Sequence, residues 1–197
     1  MPSEKVYSAM VNTGLKMDSS VYPGGYEQGA LSRYDFRKAA LNKDFWWVMP
    51  DDFAKEGRHS SVMEIPVFAL AQSRLNKLSI QRLKSALQNK HSAINAVKNK
   101  TDKLSLAGRI KYFLDKEAFT WDFCLFSMRL HRKFLKYIER HLGNERRYFV
   151  VIGHPKNFTA DKCFQNFIRM AKNGGYKFMT LKECYDRFNE PLAKTSS

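Results

Sequence analysis

The sequence predicts an α/β fold, on three observations. Tyr148, Phe149, Val150, Val151 and Ile152 form a continuous apolar run, as in a strand covered on both faces. A helical pattern precedes it, with Met128, His131, Phe134, Leu135, Ile138 and Leu142 recurring at spacings of three and four. Another follows it, with Ala160, Cys163, Phe164, Phe167, Ile168 and Ala171 in the same rhythm. Strand and helix signals that alternate in this way belong to α/β architectures.

The elements follow in order. The residues leading to Gly14 read as a helix, and Tyr22-Pro23-Gly24-Gly25 as a turn. Residues 31–53 are aromatic-rich and read as loop, and residues 62–68 as a buried strand. Residues 74–113 carry ten Lys or Arg against one acid, Asp102, and so supply +9 of the chain's formal +15. Within them Ser79 is a candidate N-cap for a helix from Ile80, with the cations on its outer faces. Residues 119–126 suit a strand. Gly143 ends the helix that starts at Met128, and Thr159 is positioned to cap the next, which Asn173-Gly174-Gly175 stops. A short strand over 176–179 precedes a capping box, Thr180 to Glu183, opening a helix through Phe188 that Pro191 terminates.

The 197 residues match one domain, assigned to 1–190 with a frayed tail at 191–197. The first 30 residues lack an apolar run, and nowhere do about 18 apolar residues follow one another. The sequence therefore predicts no signal peptide, no membrane span and a cytoplasmic location. Cys124, Cys163 and Cys184 lie in apolar stretches without C-x-x-C spacing and read as buried thiols.

His154 is the most informative single residue. Gly153-His154-Pro155 directly follows the apolar run, at the end of a strand where parallel α/β folds keep their active sites. Gly153 allows close backbone approach and Pro155 stiffens the exit. A second candidate is Arg33 to Arg37 followed by Phe45, Trp46 and Trp47. Asp35 and Arg37 are two apart, so on an extended segment they point the same way and can pair or bracket a polar ligand. The five His show neither H-x-x-x-H nor H-E-x-x-H spacing, and no Gly-rich phosphate loop or G-x-S-x-G elbow is present.

Several segments together resemble the later part of polysaccharide deacetylases of the carbohydrate esterase family four type. They are Gly14 to Val21 with Pro23-Gly24, Tyr34 to Arg37, Met63 to Pro66, Trp121 to Cys124, Val151 to Lys156, and Phe178 to Leu181. The resemblance implies a partial, distorted β/α barrel and hydrolysis of an acetamido group on an N-acetylated sugar. It implies a divalent, zinc-type metal, although no ligand set is visible in this chain, because the family's early Thr-Phe-Asp-Asp-Gly strand and His-x-x-x-His pair are absent. His154 matches the late His that protonates the leaving amine. Arg37 resembles the arginine that orients a catalytic Asp, and Trp46 and Trp47, with Asp35, resemble part of a sugar-binding wall.

The chain accordingly reads as a C-terminal portion, inactive alone, with an N-acetylated or anionic polysaccharide as partner and self-association through open barrel edges. Two other readings compete. One is non-catalytic glycan binding or assembly; the other is nucleic-acid binding through residues 74–113, which few aromatics and no reader motif support.

Overall fold

The computed structural model of the chain describes residues 3–29, 33–58, 60–77, 105–143, 148–154 and 162–189. Helix α1, Ser3–Thr13, ends where Gly14 takes a positive φ of 73°. Strand β1, Met17–Asp18, then pairs in parallel with β6, Met63–Glu64. On its other side β6 pairs antiparallel with β4, Trp46–Met49, which pairs antiparallel with β5, Asp52–Glu56. The sheet order is β1-β6-β4-β5. Two further two-stranded sheets stand apart: β2, Gly25–Gln28, with β3, Arg33–Phe36, and β7, Ala69–Ser73, with β8, Lys116–Thr120.

This arrangement corrects the expected partial β/α barrel. A barrel needs one continuous, curving sheet, whereas the described residues form three small sheets dominated by antiparallel pairs, alongside packed helices. The error has a local source. Residues 31–53, expected as loop, alternate buried and half-buried positions at Trp46, Trp47, Val48 and Met49 and so enter β4. Residues 148–152 contribute only isolated parallel bridges, Val150 to Val67 and Ile152 to Asp122, and residues 176–179 join no ladder. The strand expected over 119–126 stops at Thr120, because the carboxylate of Asp122 takes the N–H groups of Cys124 and Leu125 for a turn.

The helices follow the sequence more closely. A 3-10 turn spans Arg74–Lys77, and α2 spans Leu106–Leu114 behind the Ser105 cap. The helix expected from Ile80 and the Thr159 cap both lie outside the described residues, as does the tail. Helix α3, Met128–His141, is capped by Ser127, whose hydroxyl accepts the Leu130 N–H. Helix α4, Lys162–Asn173, stops before Gly175 at φ 81°. Helix α5, Leu181–Asn189, opens on the Thr180–Glu183 box, in which each residue's side chain accepts the other's backbone N–H.

Three apolar clusters hold these pieces. In the largest, Phe68, Phe119, Trp121, Phe126, Phe134 and Phe167 join β7 and β8 to α3 and α4. Each such ring contributes about 2 to 3 kcal/mol by leaving water. A second gathers Met10, Val21, Trp46, Val48, Phe53 and Val62. The third packs Met63, Ile65 and Cys184, with Phe45, Tyr148 and Phe188 at its margin. No helix among the described residues is long and apolar enough to cross a membrane.

Candidate functional site

The backbone around residues 121–123 and 150–154 forms one hydrogen-bonded unit. Trp121 N–H donates to the Phe68 carbonyl at 2.7 Å, Ile152 N–H to the Trp121 carbonyl at 2.9 Å, and Phe123 N–H to the Ile152 carbonyl at 3.0 Å. These bonds place Asp122 beside Ile152, so that His154, two residues further on, meets the Asp122 carboxylate. Gly153 is required for this approach: a Cβ there would lie 2.2 Å from Cζ of Phe123.

His154 Nδ1 is 3.2 Å from Asp122 Oδ2. The other carboxylate oxygen, Oδ1, accepts the N–H groups of Cys124 at 2.8 Å and Leu125 at 3.2 Å. Asp122 is therefore fixed on three sides and nearly buried, whereas the imidazole is 53% exposed. A neutral His whose Nδ1–H donates to a carboxylate leaves Nε2 free to carry a proton to or from a ligand. The pair is thus equipped as a proton carrier with a fixed orienting group.

Cys124 lies close by, with the backbone N–H of His154 directed to its thiol. Burial and the Asp122 charge nonetheless push that thiol up. It lacks the electropositive setting that makes a thiolate nucleophile. All three cysteines are free, Cys184 buried and the other two half-buried.

Arg37 and Asp35 lie elsewhere, on the β2–β3 hairpin and just beyond it. Arg37 donates through Nε to Asp35 Oδ1 at 2.8 Å and through Nη2 to Oδ2 at 2.5 Å, which holds the Asp35 carboxyl down at about 2. Its guanidinium also sits 4.2 Å above the Tyr26 ring. The two side chains pair, but not along an extended segment: Arg37 stands in the turn after β3, where its backbone N–H also donates to Asp35 Oδ1 at 3.2 Å. No hydrogen bond or ion pair among the described residues joins the pair to His154.

Trp46 and Trp47 divide. Trp46 is 2% exposed and donates its indole N–H to the Phe53 carbonyl, so it fills the second cluster rather than a surface wall. Trp47 is half-buried at the margin of the third. Among the described residues no three His, Cys, Asp or Glu side chains gather as a metal-ligand set. The His154–Asp122 pair therefore does not by itself fit the divalent ion that the resemblance implies.

No protein-family model, curated protein or solved structure matches the chain. Its chemistry rests on its own residues. Two acids with structural weight went unassigned in the sequence. Asp122 was visible as an acid enclosed by Trp121 and Phe123, and burying such a carboxylate is costly unless it is bonded. Glu64, in Met63-Glu64-Ile65, is wholly buried, accepts the Val21 N–H at 3.0 Å and is pushed up to about 9 by burial and by the neighbouring Asp18 charge.

Proposed function

We propose that the chain is a polysaccharide deacetylase-like protein acting on N-acetylated sugars, in which His154 moves the proton and Asp122 positions it. The observation that carries this reading is the Asp122–His154 pair at the end of residues 148–152, with a half-exposed imidazole on a buried, doubly bonded carboxylate. Nε2 of the neutral His154 takes a proton from the water as it adds to the acetamido carbonyl, and when the C–N bond breaks the imidazolium returns that proton to the departing amine nitrogen, leaving the carboxylic acid and the free amine. The Asp122 carboxylate accepts the Nδ1–H throughout and stabilises the imidazolium.

The test is an NMR titration of the His154 ring nitrogens with an N-acetylated chito-oligosaccharide and its deacetylated counterpart. The amine product shifts the His154 signals, and Asp122→Ala weakens that response. Absence of any His154 response at millimolar saccharide overturns the reading.

A non-catalytic glycan-binding role is favoured by a different observation, the exposed platform of Tyr26 and Arg37. It predicts glycan binding that survives His154→Ala and is lost on Tyr26→Ala. Binding that depends on His154 instead sinks it.

A further inference from the structure

Helix α3 has two unlike faces. Leu130, His131, Phe134, Leu135 and Ile138 are buried in the largest cluster. The other face carries Arg129, Arg132, Lys133, Lys136 and Arg140, all exposed, with Glu139 as the one acid. From Arg129 to Arg140, twelve residues, this stripe is about 16 Å long.

Among the described residues these cations have no counter-charge. None of the five makes an ion pair or a side-chain hydrogen bond with another described residue. Helix α5 shows the contrast, since its Lys182 pairs with Asp186 at 2.6 Å. On α3 the neighbours at three and four residues are mostly like-charged: Arg129 with Arg132 and Lys133, Lys136 with Arg132, Lys133 and Arg140. Each such pair weakens a helix by a few tenths of a kcal/mol. The helix tolerates that repulsion because its inner face is anchored in the core, and an external anion would relieve it.

The stripe is also connected to the candidate site. Asp122 lies six positions before Met128, and the turn between them is closed by Phe126 N–H on the Asp122 carbonyl. Helix α4 runs alongside in the same direction, because Cys163 meets Phe126 and Phe167 stacks on His131. It adds exposed Lys162, Arg169 and Lys172.

We propose that the outer face of α3 is a docking surface for an anionic, carboxylate-bearing polysaccharide chain. The assignment of the polymer rests on the proposed function; the surface does not. Carboxylate groups spaced along such a polymer match a row of cations spaced by helical turns. Two competing partners fit less well. The outer face of α3 has no exposed aromatic ring for base stacking, since Tyr137 is half-buried and packs on His141. It has no outward apolar residue to enter a lipid layer, because its apolar side chains are in the core.

The test measures binding of the chain to polygalacturonate, to poly(U) RNA and to a neutral chito-oligosaccharide across a salt series. Polygalacturonate binds at low salt and is released as salt rises. The triple variant Arg132→Glu, Lys133→Glu, Lys136→Glu keeps the far-ultraviolet circular dichroism of the parent, since the reversed charges pair with Arg129 and Arg140. It loses about tenfold or more in affinity and flattens the salt slope. A second variant with Gln at the three positions shows a smaller loss. Unchanged polygalacturonate binding in the folded variants overturns the proposal, as does tenfold tighter binding of poly(U). The His154 ring signals with N-acetylated saccharide report on the catalytic reading and the polygalacturonate affinity reports on this surface, so failure of either is visible apart from the other.

Discussion

His154 Nδ1 lies 3.2 Å from Oδ2 of Asp122, and the two side chains differ in exposure by a factor of ten, 53% against 5%. The buried member is immobilised by two backbone N–H groups, so the exposed member inherits its orientation. An imidazole on a loop would otherwise sample several rotamers.

Replacing Asp122 separates its two tasks. Asp122→Asn keeps an amide oxygen for the Cys124 and Leu125 N–H groups but removes the charge facing His154. It leaves the melting temperature close to wild type while the ring-nitrogen NMR shifts of His154 lose their Nδ1–H pattern. Asp122→Ala strands both N–H groups and costs about 1 to 3 kcal/mol in denaturant unfolding. Equal stability of the Ala variant and the parent contradicts the turn assignment.

Gly153→Ala brings a methyl group into the Phe123 ring. The ring must leave its contact with Phe164 or the backbone must shift, at about 1 to 3 kcal/mol. Phe123→Ala in the same chain opens the space and restores most of the loss. A double variant as unstable as the sum of its parts shows that the two residues do not meet.

Glu64 gives the fold an alkaline weakness. Its carboxyl is pushed up from about 4.5 to about 9, first by burial and then by the Asp18 charge. Between those values the folded chain holds a proton that the unfolded chain releases, so stability falls as pH rises from about 4.5 to about 9. Glu64→Gln keeps the shape of the protonated acid and flattens this limb, so its gain in melting temperature over wild type is several degrees larger at pH 8 than at pH 5. A variant that follows the wild-type pH profile rules out Glu64 as the source.

His131 gives the opposite, acidic weakness. It is fully buried, accepts the Trp121 indole N–H at 2.9 Å and stacks on Phe167, and burial lowers its titration to about 4 from 6.5. Below pH 6.5 the unfolded chain takes up a proton that the folded chain refuses until about pH 4, so stability declines over that window. His131→Gln retains an acceptor for the indole and removes the decline in urea unfolding between pH 6.5 and pH 4. A decline of the same size in the variant assigns it to other groups.

Periodicity revealed what depends on local order. The apolar spacing from Met128 to Leu142 corresponds to α3, and the Thr180–Glu183 box is formed as read. Sheet pairing was not legible, because partners such as Trp46 and Glu64 are distant in sequence and nothing local marks their register. The same limit applies to the site. His154 stood out by its place after an apolar run, whereas its partner lies 32 residues earlier and is joined to it only by the bridge at Ile152. Trp46 shows the converse: an aromatic cluster that reads as a ligand wall is core once strand alternation turns the first ring inward.

The bond from Trp121 to His131 gives the molecule an optical signature. Of its three tryptophans, Trp121 alone touches a histidine among the described residues, and it immediately precedes Asp122. A neutral imidazole accepts the indole N–H, whereas a protonated one quenches indole emission. Loss of fluorescence intensity on acidification therefore reports the state of the packing directly beneath the His154 site, in the unlabelled chain and on a stopped-flow timescale.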